Sequence, residues 1–305
     1  MRPALFPIAI LILNVLVFFG TVHGQTSMED LTPEQQVLYN EHMVWGQPDT
    51  NGVLVRTAYV ASYNHAFRIP NWCAYHVIAD YMNTPTREGD FDEFHDDPDV
   101  VNPVTDDDYD GVFTDVGYDR GHYAPYNILG GDRDGDGVLA NLEDRPNSDP
   151  DEERTIFEGN FMSNIAPQLA HGLNRHGLWR NTESWIQETV VDTSDREVWV
   201  YSGGLIVDDR SMEFIGPDND IAVPDMFYKV VIKHGEDELP DVLAFLFPHY
   251  DHKDDINEKN IFHYLVSIDY LEAIGNLDFL NTLTKEQQDS VEKFVNLSGW
   301  EEFMN

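Results

Sequence analysis

Basic residues are scarce in this chain of 305 residues, which has 18 lysines and arginines against 56 aspartates and glutamates. The formal charge of −38 repels nucleic acid at long range and slows encounter at low salt. It also destabilises the folded state through self-repulsion unless salt or bound cations screen it. The composition therefore predicts a protein that requires salt, divalent cations or both.

Cysteine is almost absent, since Cys73 is the only one in the chain. No intrachain disulfide can form, so an exported form of this protein needs another source of stabilisation. Cys73 follows Trp72 in an apolar run, which predicts a buried small hydrophobic residue rather than a catalytic thiol.

Long apolar runs are also few, and the clearest is the 16-residue segment from Ala4 to Phe19, which follows Arg2. It is shorter than the roughly 20 residues that span a bilayer. We therefore expect a secretory signal peptide over residues 1–24, with cleavage after Gly24, and a membrane anchor is the alternative. Its removal leaves 17 basic and 56 acidic residues, a charge of −39, in a secreted (extracellular or periplasmic) protein without stable membrane association.

The hydrophobic content of 42% is sufficient for a sizeable core. Apolar patterning predicts strands over 53–60, 72–78, 198–201, 226–232 and 242–247, and helices near 33, over 172–190 and from 268. The acidic stretch 90–119 is expected to be a surface loop. Because helices do not alternate regularly with strands, the fold class is α+β. We expect an N-terminal extension over 25–50 and one domain over 51–305.

A histidine and an arginine lie side by side in the segment Asp119-Arg120-Gly121-His122. An imidazole with an ordinary pKa near 6.5 accepts a proton near neutral pH, so His122 suits a general base. Arg120 and Arg87 suit phosphate binding, because guanidinium is permanently charged and binds phosphate oxygens in a bidentate manner. These are two of the functions that phosphodiester hydrolysis requires.

Hard oxygen donors follow in the sequence. Asn174 can offer an amide oxygen to Mg²⁺, Glu183 can hold a metal-bound water, and Asn164 can orient His122 or a phosphate. Each residue alone is more often structural, so the ordered set carries the inference.

This set resembles the DNA/RNA non-specific endonucleases, which have a ββα-metal (His-Me finger) active site and include endonuclease G. The similarity extends from about Val53 to Phe279. Its most specific parts are the segment from Asp119 to Pro125 and Phe161-Met162-Ser163-Asn164-Ile165-Ala166-Pro167-Gln168. The resemblance implies a central antiparallel sheet flanked by helices.

The resemblance also implies residue roles. His122 is the expected general base, Asn174 the direct Mg²⁺ ligand, and Glu183 a ligand through water, with Mn²⁺ able to substitute. Arg87 and Arg120 are expected to contact the phosphate, assisted by Asn164. The implied substrates are DNA and RNA of any sequence, and the products carry 5′-phosphate and 3′-hydroxyl ends. Members of the family are often dimers, and the sequence leaves a homodimer open.

One spacing departs from the family pattern. Asn174 precedes Trp179 by five residues and Glu183 by nine, whereas the family has four and eight. On a regular helix, nine residues separate two side chains by about 180° and eight by about 80°. We therefore expect either a one-residue bulge near His176-Gly177, with His176 exposed or approaching the metal, or Asn174 lying before the first helical turn.

The segment 132–143 fits a twelve-residue calcium loop. Short carboxylates occupy its first, third and fifth positions, glycine the sixth, and a glutamate the last. The loop lies in an apparent insertion at about 127–158, between His122 and Asn164, and predicts a structural Ca²⁺. The predicted ligands are Asp132, Asp134, Asp136, the carbonyl of Val138, and Glu143.

Together these features predict a secreted, salt-tolerant, sugar-non-specific nuclease. An alternative from another class is a calcium-dependent binding or adhesion protein that keeps an inactive nuclease fold. A third is a phosphodiesterase for small substrates, which would have the same site in a different groove.

Overall fold

The structure is a computed structural model, and it describes residues 25–133, 137, 150–194, 196–207, 212–235, 239–249 and 260–304. The predicted signal peptide lies outside the described residues. The largest element is a seven-stranded antiparallel sheet in the order β1-β2-β3-β6-β9-β10-β11. Its strands are β1 (Leu54–Val55), β2 (Val60–Asn64), β3 (Ile69–Val77), β6 (Val198–Leu205), β9 (Met226–His234), β10 (Pro240–Pro248) and β11 (Leu265–Val266). The pairs β4 (Tyr118–His122) with β5 (Ile165–Leu169), and β7 (Glu213–Ile215) with β8 (Ile221–Val223), are separate.

Both faces of the large sheet are buried, because successive side chains of its strands point to opposite faces. In β3, Cys73 and Tyr75 belong to one hydrophobic core, while Trp72 and Ala74 belong to another. We call the side of Cys73 the first face and the side of Trp72 the second face. Cys73 is fully buried, as its sequence context predicts.

The helices divide between these faces. On the first face, α4 contributes Leu178 and Trp179 to the core, and the β4–β5 pair packs on the same side. On the second face, α1 contributes Tyr39 and α5 contributes Ile268 and Leu271. The bounds are α1 (Pro33–His42), α2 (Val112–Val116), α3 (Pro150–Gly159), α4 (Leu178–Ser184), α5 (Ile268–Gly275) and α6 (Lys285–Val291).

The α+β class and the central antiparallel sheet are confirmed, but several local predictions are wrong. The predicted strand 53–60 is interrupted between β1 and β2, where the Arg56 guanidinium turns to the fully buried Asp97 at 2.6 Å. Asp97 belongs to the acidic stretch 90–119, so that stretch is not merely a surface loop. It contributes Phe91 and Tyr109 to the first-face core. Hydrophobic residues spaced among the acids carry this packing.

The predicted helix 172–190 is three segments rather than one. A kinked turn spans Ala170–Asn174, α4 follows, and a π-helical segment continues over Trp185–Asp192. Gly172 breaks the first segment with a φ of +88°, a conformation that glycine adopts without strain. Glycine is also required at Gly177, where a Cβ would lie 1.9 Å from the carbonyl carbon of Gly172.

Candidate active site

Two strands and one helix meet at the end of β4. β4 pairs with β5 so that His122 lies opposite Ile165. The strands approach closely because residue 121 is glycine, and a Cβ there would lie 2.2 Å from the side chain of Gln168. Helix α4 is joined to this pair by Trp179, whose indole Nε1 donates to the carbonyl of His122 at 3.1 Å. The result is a ββα unit with His122 at its centre.

The orientation of the His122 ring follows from its contact with Asn160. His122 Nε2 lies 3.2 Å from Asn160 Oδ1. The amide nitrogen of Asn160 donates to the carbonyl of Phe91 at 3.0 Å, so its oxygen is the atom that faces the imidazole. Because that oxygen only accepts, Nε2 carries the ring proton and Nδ1 keeps a free lone pair. A base at this position would act through Nδ1.

Burial keeps this imidazole neutral. The pKa of His122 is lowered to about 3, first by burial and then by the charge of Arg87, while the Asn160 hydrogen bond opposes the shift. A histidine with a pKa below its ordinary value is unprotonated throughout the neutral range. It can therefore accept a proton without first losing one.

Arg87 lies on one side of an aromatic ring next to the histidine. The Phe94 ring centroid is 5.5 Å from that of His122. The Arg87 guanidinium carbon lies 5.0 Å from the Phe94 centroid and 5.2 Å from that of Tyr126. Its Nε forms an ion pair with Asp92 at 2.9 Å, and about a third of the side chain (32%) is exposed.

Arg120 approaches the same ring. Its guanidinium carbon lies 5.5 Å from the Phe94 centroid and 5.4 Å from that of Tyr109. Asp106 anchors it through an ion pair at 2.6 Å and through its backbone carbonyl at 2.8 Å. Phe94 is therefore a shared platform that brings Arg87, Arg120 and His122 into one cluster. Two cations beside a neutral imidazole suit an anionic substrate.

Asn164 does not join this cluster, which corrects the predicted contact with the phosphate or with His122. It is fully buried, and its amide oxygen accepts from the backbone of Ala124 at 2.9 Å. Its amide nitrogen donates to the carbonyls of Ala124 and Gly159 at 2.9 and 2.8 Å. These bonds hold the chain that follows His122 against the end of α3. The histidine partner is Asn160, four residues earlier.

Asn174 lies before the first turn of α4, as one of the two predicted arrangements requires. Its amide nitrogen donates to Asp119 at 3.1 Å, and Arg175 binds the same carboxylate at 2.6 and 2.8 Å. With the nitrogen engaged, the amide oxygen of the half-buried Asn174 is the atom left as a candidate ligand. The extra residue is absorbed in the turn that precedes the helix, and His176 is exposed there.

Glu183 of α4 forms a buried ion pair with Lys229 of β9. Its carboxylate lies 3.6 Å from Lys229 Nζ and 3.6 Å from Arg180. Lys229 is fully buried, with its Nζ 3.5 Å from the Trp179 ring centroid and 3.3 Å from the Tyr75 hydroxyl. Burial raises the pKa of Glu183 and lowers that of Lys229 to about 8. Lys229 thus stays protonated at neutral pH and holds the carboxylate in place.

The calcium-loop prediction falls mainly on residues outside the described part of the chain, namely Asp134, Asp136, Val138 and Glu143. Three of its positions are described, namely Asp132, Arg133 and Gly137. The backbone nitrogen of Gly137 donates to Asp132 Oδ2 at 2.7 Å, and Gly137 has a φ of +81°. The ion binding itself stays a prediction.

Three residues of the site carried no assigned role in the sequence. Asn160 has a local signal, since it repeats the asparagine of Asn164 at a spacing of four. Lys229 has one too, because it interrupts the apolar strand β9. Phe94 has none, since nothing in the acidic stretch marks the aromatic residue on which both arginines pack.

Comparison with known proteins gives consistent results. The family model for DNA/RNA non-specific endonucleases matches residues 39–286. Nuclease C1 of Cunninghamella echinulata var. echinulata is 30% identical over 67% of this chain and 74% of its own length. The mitochondrial nuclease EXOG of Danio rerio is 29% identical over 76% of this chain, which spans 61% of that protein.

The fold is shared with a solved structure. A chain of the crystal structure of the EndoG/EndoGI complex aligns with a TM-score of 0.63 and 24% identity, covering 84% of this chain and 96% of that one. Among the helices that the structure describes, none has the length and apolar character needed to cross a bilayer.

Proposed function

This chain belongs to the DNA/RNA non-specific endonuclease family, and we propose that it hydrolyses phosphodiester bonds of DNA and RNA with His122 as general base. The observation that carries this proposal is the ring of His122. Its Nε2 is held by Asn160, its Nδ1 is free, and the ring stands beside two arginines on the shared Phe94 platform.

The residues divide the reaction as follows. Nδ1 of His122 takes a proton from a water molecule whose oxygen attacks phosphorus. Arg87 and Arg120 bind the nonbridging oxygens, where negative charge develops in the transition state. The bond from phosphorus to the 3′ oxygen breaks, and that oxygen leaves and takes up a proton from solvent. His122 then releases to solvent the proton that it accepted. The products carry 5′-phosphate and 3′-hydroxyl ends.

The donor set fits a hard divalent cation. The amide oxygen of Asn174 would be a neutral hard ligand, and Mg²⁺ needs few protein ligands because it keeps several waters. Glu183, paired with Lys229 and Arg180, would act through water rather than directly. Mg²⁺ bound there would stabilise the charge of the leaving oxygen. Mn²⁺ has the same ligand preferences and would substitute.

The wider setting is proposed from the sequence. The N-terminal segment supports secretion, and a Ca²⁺ in the 132–143 loop would neutralise clustered acids without a catalytic role. The charge of −38 supports salt tolerance, because salt screens both self-repulsion and repulsion of the substrate. If chelated protein melts at the same temperature with and without added Ca²⁺, the structural role is wrong.

Cleavage of supercoiled plasmid in Mg²⁺ tests the proposal, from low salt to about 1 M NaCl. We expect wild-type cleavage to persist or rise with salt. The variant His122→Ala should lose about 10²- to 10⁴-fold in rate, the usual contribution of a general base. The exposed neighbour His176→Ala is the matched control and should cleave normally.

The end groups give a second readout. Products with 5′-phosphates resist labelling by a polynucleotide kinase until a phosphatase removes them. An absence of cleavage by wild type in every salt and metal condition would contradict the proposal and favour a calcium-dependent binding protein.

A further inference from the structure

Three carboxylates converge on the second face of the sheet, away from the ββα unit. They are Asp269 and Glu272 on α5 and Glu292 at the end of α6, and we call them the acidic cluster. One oxygen from each lies within 4.8 Å of the other two. The backbone amide of Asp269 donates to the carbonyl of Glu292 at 3.1 Å, which brings the two helices together at this point.

The three carboxylates differ in their exposure to solvent. Asp269 is exposed, Glu272 is half-buried, and Glu292 is 1% exposed. The Glu292 Oε1 atom is buried and has no hydrogen-bond partner. A buried ionised oxygen without a partner is costly, so it calls for a cation or a proton. A cation from solvent could reach the cluster on the side of the exposed Asp269.

The protein supplies little compensation for these charges. Glu272 Oε1 accepts from the backbone of Phe279 at 2.6 Å, which satisfies one oxygen. Lys285 is the nearby cation, but its Nζ pairs with Asp289 at 3.1 Å on the exposed surface. Burial raises the pKa of Glu272 and of Glu292 to about 7, and the neighbouring carboxylates add to the effect.

We propose that Asp269, Glu272 and Glu292 form a calcium site that joins α5 to the end of α6 on the second face. Calcium–oxygen distances of 2.3–2.6 Å let one ion span oxygens about 4.6–5.2 Å apart, which accommodates the 4.8 Å limit of the cluster. Three hard carboxylates also give Ca²⁺ its preferred ligand type.

The site has a structural consequence. α5 buries Ile268 and Leu271 in the second-face core, and the intervening loop buries Phe279 and Leu280 there. An ion that binds both α5 and Glu292 would hold α5 and the end of α6 together against the second face of the sheet. Such a cross-link stabilises the native state by binding to it and not to the unfolded chain. It is independent of nuclease activity, because the ββα unit lies on the other face.

Binding stoichiometry measured with ⁴⁵Ca²⁺ tests the site in about 1 M NaCl, which screens diffuse binding to surface carboxylates. We expect Glu292→Gln and Asp269→Asn each to bind about one Ca²⁺ fewer than wild type. Asp269 is exposed, so Asp269→Asn should disturb folding less than a change at the buried Glu292. Asp132→Ala, in the predicted calcium loop, is the matched control and should retain this site.

Hydrogen exchange locates the ion independently. Ca²⁺ should slow amide exchange within 268–275 and 285–292 in wild type and in Asp132→Ala, and should leave it unchanged in Glu292→Gln. Plasmid cleavage by Glu292→Gln should match wild type. Equal stoichiometry in wild type and both cluster variants, or unchanged exchange in these segments, would overturn the proposal.

Discussion

The His122 cluster and the acidic cluster both bury ionisable groups, but they differ in how the protein compensates for that burial. Around His122, burial and the charge of Arg87 hold an imidazole neutral, and Asn160 satisfies its ring proton. In the acidic cluster, burial and like charges oppose ionisation, and an oxygen of Glu292 lacks a partner. The ring proton of His122 has a protein partner, whereas the buried oxygen of Glu292 has no hydrogen-bond partner among the described residues. The difference separates a proposed general base from a proposed ion site.

The largest effect is expected at a third set of buried charges, the Lys229–Glu183 pair, in which the protein itself supplies the compensating cation. Lys229→Met would leave the buried carboxylate of Glu183 with only the partly exposed Arg180 as its cation, at 3.6 Å. We expect a loss of unfolding free energy toward the lower end of about 3–5 kcal/mol. The loss should grow as pH rises, because the pKa of Glu183 is raised and only its ionised form needs the cation. Chemical denaturation at several pH values measures this.

A double variant provides the control for that change. Lys229→Met with Glu183→Gln removes both charges, so most of the stability should return. If the single variant were as stable as wild type, Lys229 would not hold Glu183.

A smaller effect is expected when Asn160 receives a charge. In Asn160→Asp the carboxylate would favour the protonated imidazole and raise the pKa of His122, by about one to three pH units for a close opposite charge. Because the base must be unprotonated, the acid limb of the pH–rate profile should move upward. Rates at high pH should change less than rates at low pH. A profile that only scales, without moving, would contradict the assigned contact.

The smallest effect is expected in the acidic cluster without calcium. Glu292→Gln removes one of three like charges and keeps the shape of the side chain. We expect a melting temperature equal to that of wild type or higher by about 2–4 °C, which corresponds to roughly 1 kcal/mol. Thermal melting in chelator measures this difference, and a marked drop would mean that Glu292 has a partner in the apo protein.

The sequence predicted what depends on periodicity and on contiguous motifs. The alternation in β3, β6, β9 and β10 follows from apolar patterning, and the His122 segment was recognisable as a unit. The prediction continued a helix from 172 to 190 because its apolar spacing is helical. Apolar spacing does not reveal the close approach of Gly177 to Gly172, and that contact decides where α4 begins.

Contacts between segments that are far apart in the sequence were harder to predict. Asn164 was assigned from its place in a motif, whereas the structure gives the His122 contact to Asn160 and uses Asn164 to bind backbone. The acidic stretch was interpreted as solvated because of its charge. Its packing depends on tertiary partners such as Arg56 for Asp97, and no local pattern shows them.

NMR of ¹⁵N-labelled histidine tests the central claim most directly, with the His122 signals assigned by their absence in His122→Ala. The account predicts a neutral ring with its proton on Nε2, and a pKa well below 6.5. A ring that titrates near 6.5, or one that carries its proton on Nδ1, would contradict the account, because His122 would then lack the free nitrogen through which it is proposed to act.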